Sequence, residues 1–225
     1  MSLKIIFSIS LINAISLLLT FGSSGHSAES DRPISWATPI QMQGVRSLYK
    51  ITDYLYRSAQ PNEEGMKNLE KMGIKTVINL RTFHSDLDKI KKTGLLYEEL
   101  SVKPWHIEDE DVIKVLRIIK KRENWPFLMH CWRGADRLGL MVAMFRIIEQ
   151  GWTKDEAIQE MVKGGYGFHA TWRNIIGYVQ NVDVERIRKK VEKASLTPPA
   201  EMLSQALRQV FALRMFISEE EGSGD

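Results

Sequence analysis

The chain reads as an α/β domain: a central, mostly parallel sheet of about four to five strands flanked by helices, with a helical C-terminal half. Three observations predict it. Short β-branched apolar runs such as IKTVINL (Ile74 to Leu80) alternate with amphipathic stretches of helical period. The apolar run PFLMH (Pro126 to His130) breaks into the small, polar stretch CWRGADR and then into a long apolar segment from Leu138 to Gln150, a strand–loop–helix order. Beyond that point every periodic segment has helical spacing.

The elements follow in order. Residues 29–44 (ESDRPISWATPIQMQG) hold two prolines and no period, and are expected to be a linker. LYKITDYLYRSAQ supplies strand pieces that stop at Pro61-Asn62. NEEGMKNLEKMG is helical, with Gly73 as its C-terminal stop. After the INL strand, RTFHSDLDKIKKTG is expected to be helical, and Leu95 to Val102 forms the next strand. Glu108 to Arg122 begins acidic and ends basic, which complements a helix dipole. Thr153 is an N-cap candidate for TKDEAIQEMVKG. Arg186 to Lys193 is basic but interrupted by Glu192, the pattern of a solvated helix face. A last amphipathic stretch, PAEMLSQALRQVFALRMF, precedes an acidic tail.

The first residues have another character. A basic start ending at Lys4, a mostly apolar run from Ile5 to Phe21 and the small-residue stretch GSSGHSAES have the order of an export signal, cleaved near Ser27 or Ala28. Residues 1–28 are therefore expected to be a signal peptide, the alternative being a retained N-terminal anchor, and the domain to be periplasmic or secreted. A net charge of +3 in 225 residues argues against a nucleic-acid partner, and a membrane enters only if the first segment is retained. The single cysteine excludes an internal disulfide, and no Cys/His spacing suggests a metal site.

That cysteine, Cys131, lies in HCWRGADRLG, with Arg137 six positions on. Ligands of parallel sheets bind at the carboxyl ends of the strands. A loop leaving such an end and entering a helix N-terminus gathers backbone N–H groups into an anion cradle. Gly134 permits a backbone path closed to other residues, and Arg137 offers a planar fork for two phosphate oxygens. A thiolate in this setting is a nucleophile for in-line displacement at phosphorus.

The same residues resemble the C-x5-R signature, HC-x-x-G-x-x-R-[ST], of the cysteine-dependent tyrosine and dual-specificity phosphatases. LYRSAQP, GIKTVINLR and GWTKDEAIQEMVKGGYGFHATWRNI look like a bacterial branch related to the atypical dual-specificity phosphatases, over residues 45–182. The remainder, 183–225, is expected to be a helical extension with an acidic tail. The resemblance implies a phosphatase-type sheet and hydrolysis of phosphate monoesters, phosphotyrosine or related, through a cysteinyl phosphate, without cofactor or metal. It makes Cys131 the nucleophile and Arg137 the clamp, with Trp132, Arg133, Gly134, Ala135 and Asp136 completing the phosphate-binding loop. His130 orients the loop, and Arg81, Arg57, His169, Trp172 and Asn174 fall in the matching stretches.

Two departures stand out. The family's Ser or Thr after the arginine is Leu138 here, so the hydroxyl that stabilises the departing thiolate is missing. The window before the cysteine where the family places its acid holds Ser101 and Val102, without a carboxylate. Asp109 is the expected general acid, with Asp136 and then His106 as alternatives. The expected partner is a phosphorylated protein or a small phosphoester. Arg133 also admits inositol phosphates, and Leu138 admits a weakly active module that binds phosphorylated ligands.

Overall fold

The computed structural model describes residues 32–195. The expected signal segment 1–28, the last amphipathic stretch and the acidic tail lie outside these residues.

Six strands form one sheet in the order β1-β2-β3-β6-β4-β5. They are β1 (Thr38–Met42), β2 (Val45–Thr52), β3 (Leu55–Ala59), β4 (Thr76–Asn79), β5 (Leu96–Glu99) and β6 (Phe127–Cys131). The β1–β2 and β2–β3 pairs are antiparallel; β3–β6, β6–β4 and β4–β5 are parallel. The sheet is thus mostly parallel, as expected, but larger. Its extra strand, β1, lies inside the segment expected to be a linker. Pro39 argued against a strand there, yet β1 is an edge strand, where a missing N–H costs no ladder bond.

Helices cover both faces. In β4, Val77 belongs to one core cluster and the neighbouring Ile78 to the other; in β6, Leu128 faces one way and Phe127 and Met129 the other. Successive strand residues point to opposite faces, so a strand covered on both reads as a continuous apolar run. The smaller cluster packs against α1 (Glu63–Lys71), which starts on the N-cap Asn62 and stops before Gly73, at φ +96°. The larger contains α3 (Asp109–Ile119) and α4 (Asp136–Gln150). Every residue of α4 from Leu138 to Ile148 is buried, the pattern of a central helix.

Thr153 caps α5 (Lys154–Lys163) with a reciprocal box to Glu156. The segment after β4 is mostly turn, with helix α2 only at Leu87–Ile90, because Asn79 Nδ2 donates to the His84 carbonyl and folds the chain back. The packed domain continues past residue 182. After α6 (Arg173–Asn181), Ile187 and Val191 of α7 (Val184–Ser195) enter the main core, while Arg186 and Lys190 reach Asp109 and Glu110 of α3.

Candidate active site

Cys131 ends β6, whose neighbours β3 and β4 set it at the carboxyl edge of the parallel strands, opposite Ala59. Trp132 to Ala135 form the loop, and α4 begins at Asp136, one residue earlier than Arg137. Gly134 has φ +74°, and a Cβ there would sit 2.7 Å from the Ala59 nitrogen and the Ser58 carbonyl carbon. Both conformation and space therefore require glycine. Two loop carbonyls are tied outward to β3: Arg57 Nη2 donates to the Gly134 oxygen at 2.8 Å, and the Gln60 N–H to the Trp132 oxygen at 3.3 Å. Across a planar trans peptide the N–H opposes the carbonyl, so the Ala135 and Arg133 N–H groups point away from these anchors.

A cavity of about 290 Å³ opens above the cysteine. Cys131, Trp132, Arg133, Asp136 and Arg137 line one side; His169, Thr171 and Trp172, between α5 and α6, line the other. Asp136 accepts from the His169 N–H at 2.9 Å and lies 2.9 Å from its Nδ1, while His169 Nε2 is 2.9 Å from Arg133 Nη1. Carboxylate, imidazole and guanidinium thus form a chain along the rim. Two residues beyond β4, Arg81 lies over the Trp132 ring, 4.3 Å from its centroid, and donates to Gln60. Burial holds the Arg81 guanidinium below its ordinary value; the Asp86 charge opposes this and the Arg137 charge adds to it.

Under the loop, the Arg57 guanidinium is fully buried and lies 3.6 Å from the centroid of the Tyr166 ring. Burial lowers its value too, against the opposing influence of Tyr166, Glu160 and Cys131. Tyr166 Oη donates to Glu160 at 2.9 Å, and Glu160 takes a bidentate pair from Arg146 of α4 at 2.8 and 3.0 Å. The loop is thereby braced from the middle of the core. On the other side, buried His130 sits with Nε2 3.1 Å from Asp86 Oδ2 and Nδ1 3.4 Å from the Cys131 carbonyl oxygen. Asp86 also accepts from Gln60 at 2.6 Å and Lys89 at 2.5 Å. Burial opposes the Asp86 charge, but His130, Lys89 and Gln60 outweigh it and hold the carboxyl well below the usual range.

Asp109 is not brought to this cavity. Its Oδ1 accepts from Tyr178 at 2.9 Å and its Oδ2 pairs with Arg186, so the first turn of α3 is fastened to α6 and α7. The expectation that Asp109 sits over the cysteine therefore fails: its partners are structural. His106 is exposed and pairs with Glu108 at 3.1 Å. Asn174 donates to the Pro104 carbonyl, anchoring the loop after β5 and staying out of the cavity lining. Of the three acid candidates only Asp136 lines the cavity. No sequence motif marks Asp86, Tyr166 or Thr171. Asp86 lies in a segment expected to be helical, and Tyr166 lies in the matching stretch that also holds His169.

Residues 46–199 match the tyrosine phosphatase family. The dual specificity protein phosphatase TpbA of Pseudomonas aeruginosa is 34% identical over 194 residues, 84% of this chain and 86% of that protein. The crystal structure of a cysteine-to-serine TpbA in complex with phosphotyrosine aligns with TM-score 0.65 at 31% identity, covering 72% of this chain and 98% of that one. An inositol diphosphatase of Arabidopsis thaliana is 25% identical over 150 residues, 62% of this chain and 71% of that protein. With a matched region spanning the whole strand–loop–helix site, this chain belongs to the tyrosine phosphatase family.

Proposed function

We propose that the protein hydrolyses phosphate monoesters, phosphotyrosine in a protein first among them, through a cysteinyl phosphate. One observation carries the reading: Cys131, Arg137 and Asp136 line a single cavity at the carboxyl end of β6. TpbA, the relative solved with phosphotyrosine, supports the choice of substrate. Arg137 holds two non-bridging oxygens, and the loop N–H groups and the α4 N-terminus receive the charge. The Cys131 thiolate attacks phosphorus in line as the bond to the leaving oxygen breaks. That oxygen takes a proton from the Asp136–His169 pair. Water then attacks the phosphocysteine, returns a proton to the pair and expels the thiolate with inorganic phosphate. No step calls for a metal or cofactor.

Turnover of phosphotyrosine peptides, phosphoserine peptides, inositol phosphates and an aryl phosphate, each with Cys131→Ser as control, tests the proposal. Activity on aryl esters that vanishes with Cys131→Ser supports it. Preference for inositol phosphates moves the substrate to the class named for the Arabidopsis relative. Equal phosphopeptide binding by both forms without turnover makes the protein a binding module, the reading that Leu138 favours.

Residues 1–28 are proposed to export this domain, since their basic, apolar and small-residue order is that of a signal peptide. N-terminal sequencing of the protein from fractionated cells tests this. A start near Glu29 in the periplasm or medium supports export, and an intact N-terminus in the membrane fraction makes the segment an anchor. Among the described residues, no helix is long and apolar enough to cross a membrane.

A further inference from the structure

A second cavity, of about 370 Å³, adjoins the first. Arg46, Ser47, Ala59, Trp132 and Arg133 line it, and the last two also line the Cys131 cavity. The sheet explains the adjacency. Tyr49 pairs with Arg57 across the antiparallel β2–β3 ladder, and running that register three residues on sets Arg46 level with Gln60, just past Ala59, which is itself level with Cys131. Arg46 therefore stands at the same edge of the sheet as the cysteine, two strands away.

The lining of this cavity is basic. Arg46 is exposed and makes no ion pair or hydrogen bond among the described residues. Among the described residues, the Arg133 side chain hydrogen-bonds to the imidazole of His169, and Arg81 sits over the ring of Trp132, which lines both cavities. No carboxylate among the described residues lines the second cavity. Arg46 and Arg133 on the wall of a cavity with no carboxylate in its lining attract an anion. Ser47 and Ala59 are small and leave it room, and the Trp132 face, 54% exposed, divides the two sites.

We propose that this cavity is a second anion subsite, in which Arg46 and Arg133 take a carboxylate or phosphate of the same substrate whose phosphoester lies against Cys131. The inference rests on the phosphatase reading above and sharpens its substrate class to phosphoesters with a neighbouring anionic group. That group is either an acidic or phosphorylated residue beside phosphotyrosine or a further phosphate on a small polyol.

The test compares the full chain with Arg46→Ala and Arg46→Glu, whose exposed position spares the core. Three probes are used: p-nitrophenyl phosphate, phosphotyrosine peptides with neutral or glutamate neighbours, and inositol hexakisphosphate as a competitor. Wild type is expected to favour the acidic peptide. Arg46→Ala should reduce kcat/KM on that peptide by about threefold to tenfold, and Arg46→Glu by more, as for a partly solvated charge pair. Neither variant should change p-nitrophenyl phosphate turnover by more than about twofold, since Arg46 does not line the Cys131 cavity. A loss confined to the acidic peptides assigns the anion to a peptide; one confined to inositol hexakisphosphate inhibition assigns it to a small polyphosphate. A wild type indifferent to the peptide's second charge and inhibited by inositol hexakisphosphate no more than its Arg46 variants, or equal losses on all three probes, overturns the subsite. Absent turnover of p-nitrophenyl phosphate by wild type is instead a failure of the phosphatase reading. In that event, binding of the same peptides to Cys131→Ser and to its Arg46→Ala derivative still decides the subsite.

Discussion

Arg57 donates to the carbonyl of Gly134 from 77 residues away, and this bond fastens a buried positive charge to the underside of the Cys131 loop. The bond fixes one peptide plane and so the direction of the next N–H. The ring of Tyr166 shields the guanidinium, and Glu160 holds Tyr166 in turn. A change at Arg57 should therefore reach the reaction without touching substrate. Arg57→Met is expected to lower kcat/KM by on the order of 10–100-fold, the range for a displaced reacting group, and to slow alkylation of Cys131 by iodoacetate. Arg57→Lys should recover part of both. Unchanged alkylation in a folded Arg57→Met protein would sink the idea.

Asp136 and Asp109 should behave oppositely. Asp136→Asn is expected to cost about 10²–10⁴-fold on an alkyl phosphate and far less on p-nitrophenyl phosphate, whose leaving group needs little protonation. Asp109→Asn keeps the Tyr178 hydrogen bond but loses the charge pair with Arg186. Its cost should be up to about 1 kcal/mol of stability, with the leaving-group dependence untouched. The slope of log kcat/KM against leaving-group acidity separates the two.

Leu138 sets catalysis against packing. Its side chain is wholly buried at the start of α4. Leu138→Thr supplies the hydroxyl that the departing thiolate lacks, and steady-state turnover should rise by about tenfold or more if expulsion is slow. The same change shrinks a core side chain and buries a polar atom, for a cost of about 1–3 kcal/mol. Faster turnover with a lower Tm is the expected pair of results. Turnover equal in both forms means that expulsion of Cys131 does not limit the rate.

Acid should loosen the braces beneath the loop. Burial opposes the charges on Asp86 and Glu160, but each carboxyl is held below its ordinary value: Asp86 by His130, Lys89 and Gln60, and Glu160 by Arg146, the Ala37 N–H and Tyr166. A depressed folded value stabilises the protein above the unfolded pKa, roughly 4 for both residues. That stability is lost as the pH falls through the folded values. Urea unfolding is expected to show constant stability from these groups above about pH 5 and a steep fall below pH 4. Asp86→Asn should flatten part of that fall.

Glu160→Gln strands the buried Arg146 guanidinium, which now has two carboxylate contacts. Breaking one partner of a buried pair costs about 3–5 kcal/mol. The variant should unfold at markedly lower urea. Where it is still folded, its Cys131 alkylation should change less than in Arg57→Met, because the amide oxygen still accepts from Tyr166.

The sequence by itself determined what is local. Alternating apolar runs required a two-faced sheet, and the spacing from Cys131 through Gly134 to Arg137 required an anion-holding turn between a strand and a helix. That much is legible because backbone conformation and short-range period are written in adjacent residues. Which carboxylate meets the cysteine was decided only in three dimensions. Asp109 and Asp136 both stand in the first turn of a helix, and only the packing of α6 and α7 against α3 draws Asp109 away, while the segment carrying His169 comes to Asp136. The same holds for Asp86 beneath His130, Tyr166 under Arg57, and Arg46 beside Arg133. Each pair is brought together by strand order and helix packing, and these depend on the sum of many distant contacts, which no short pattern records.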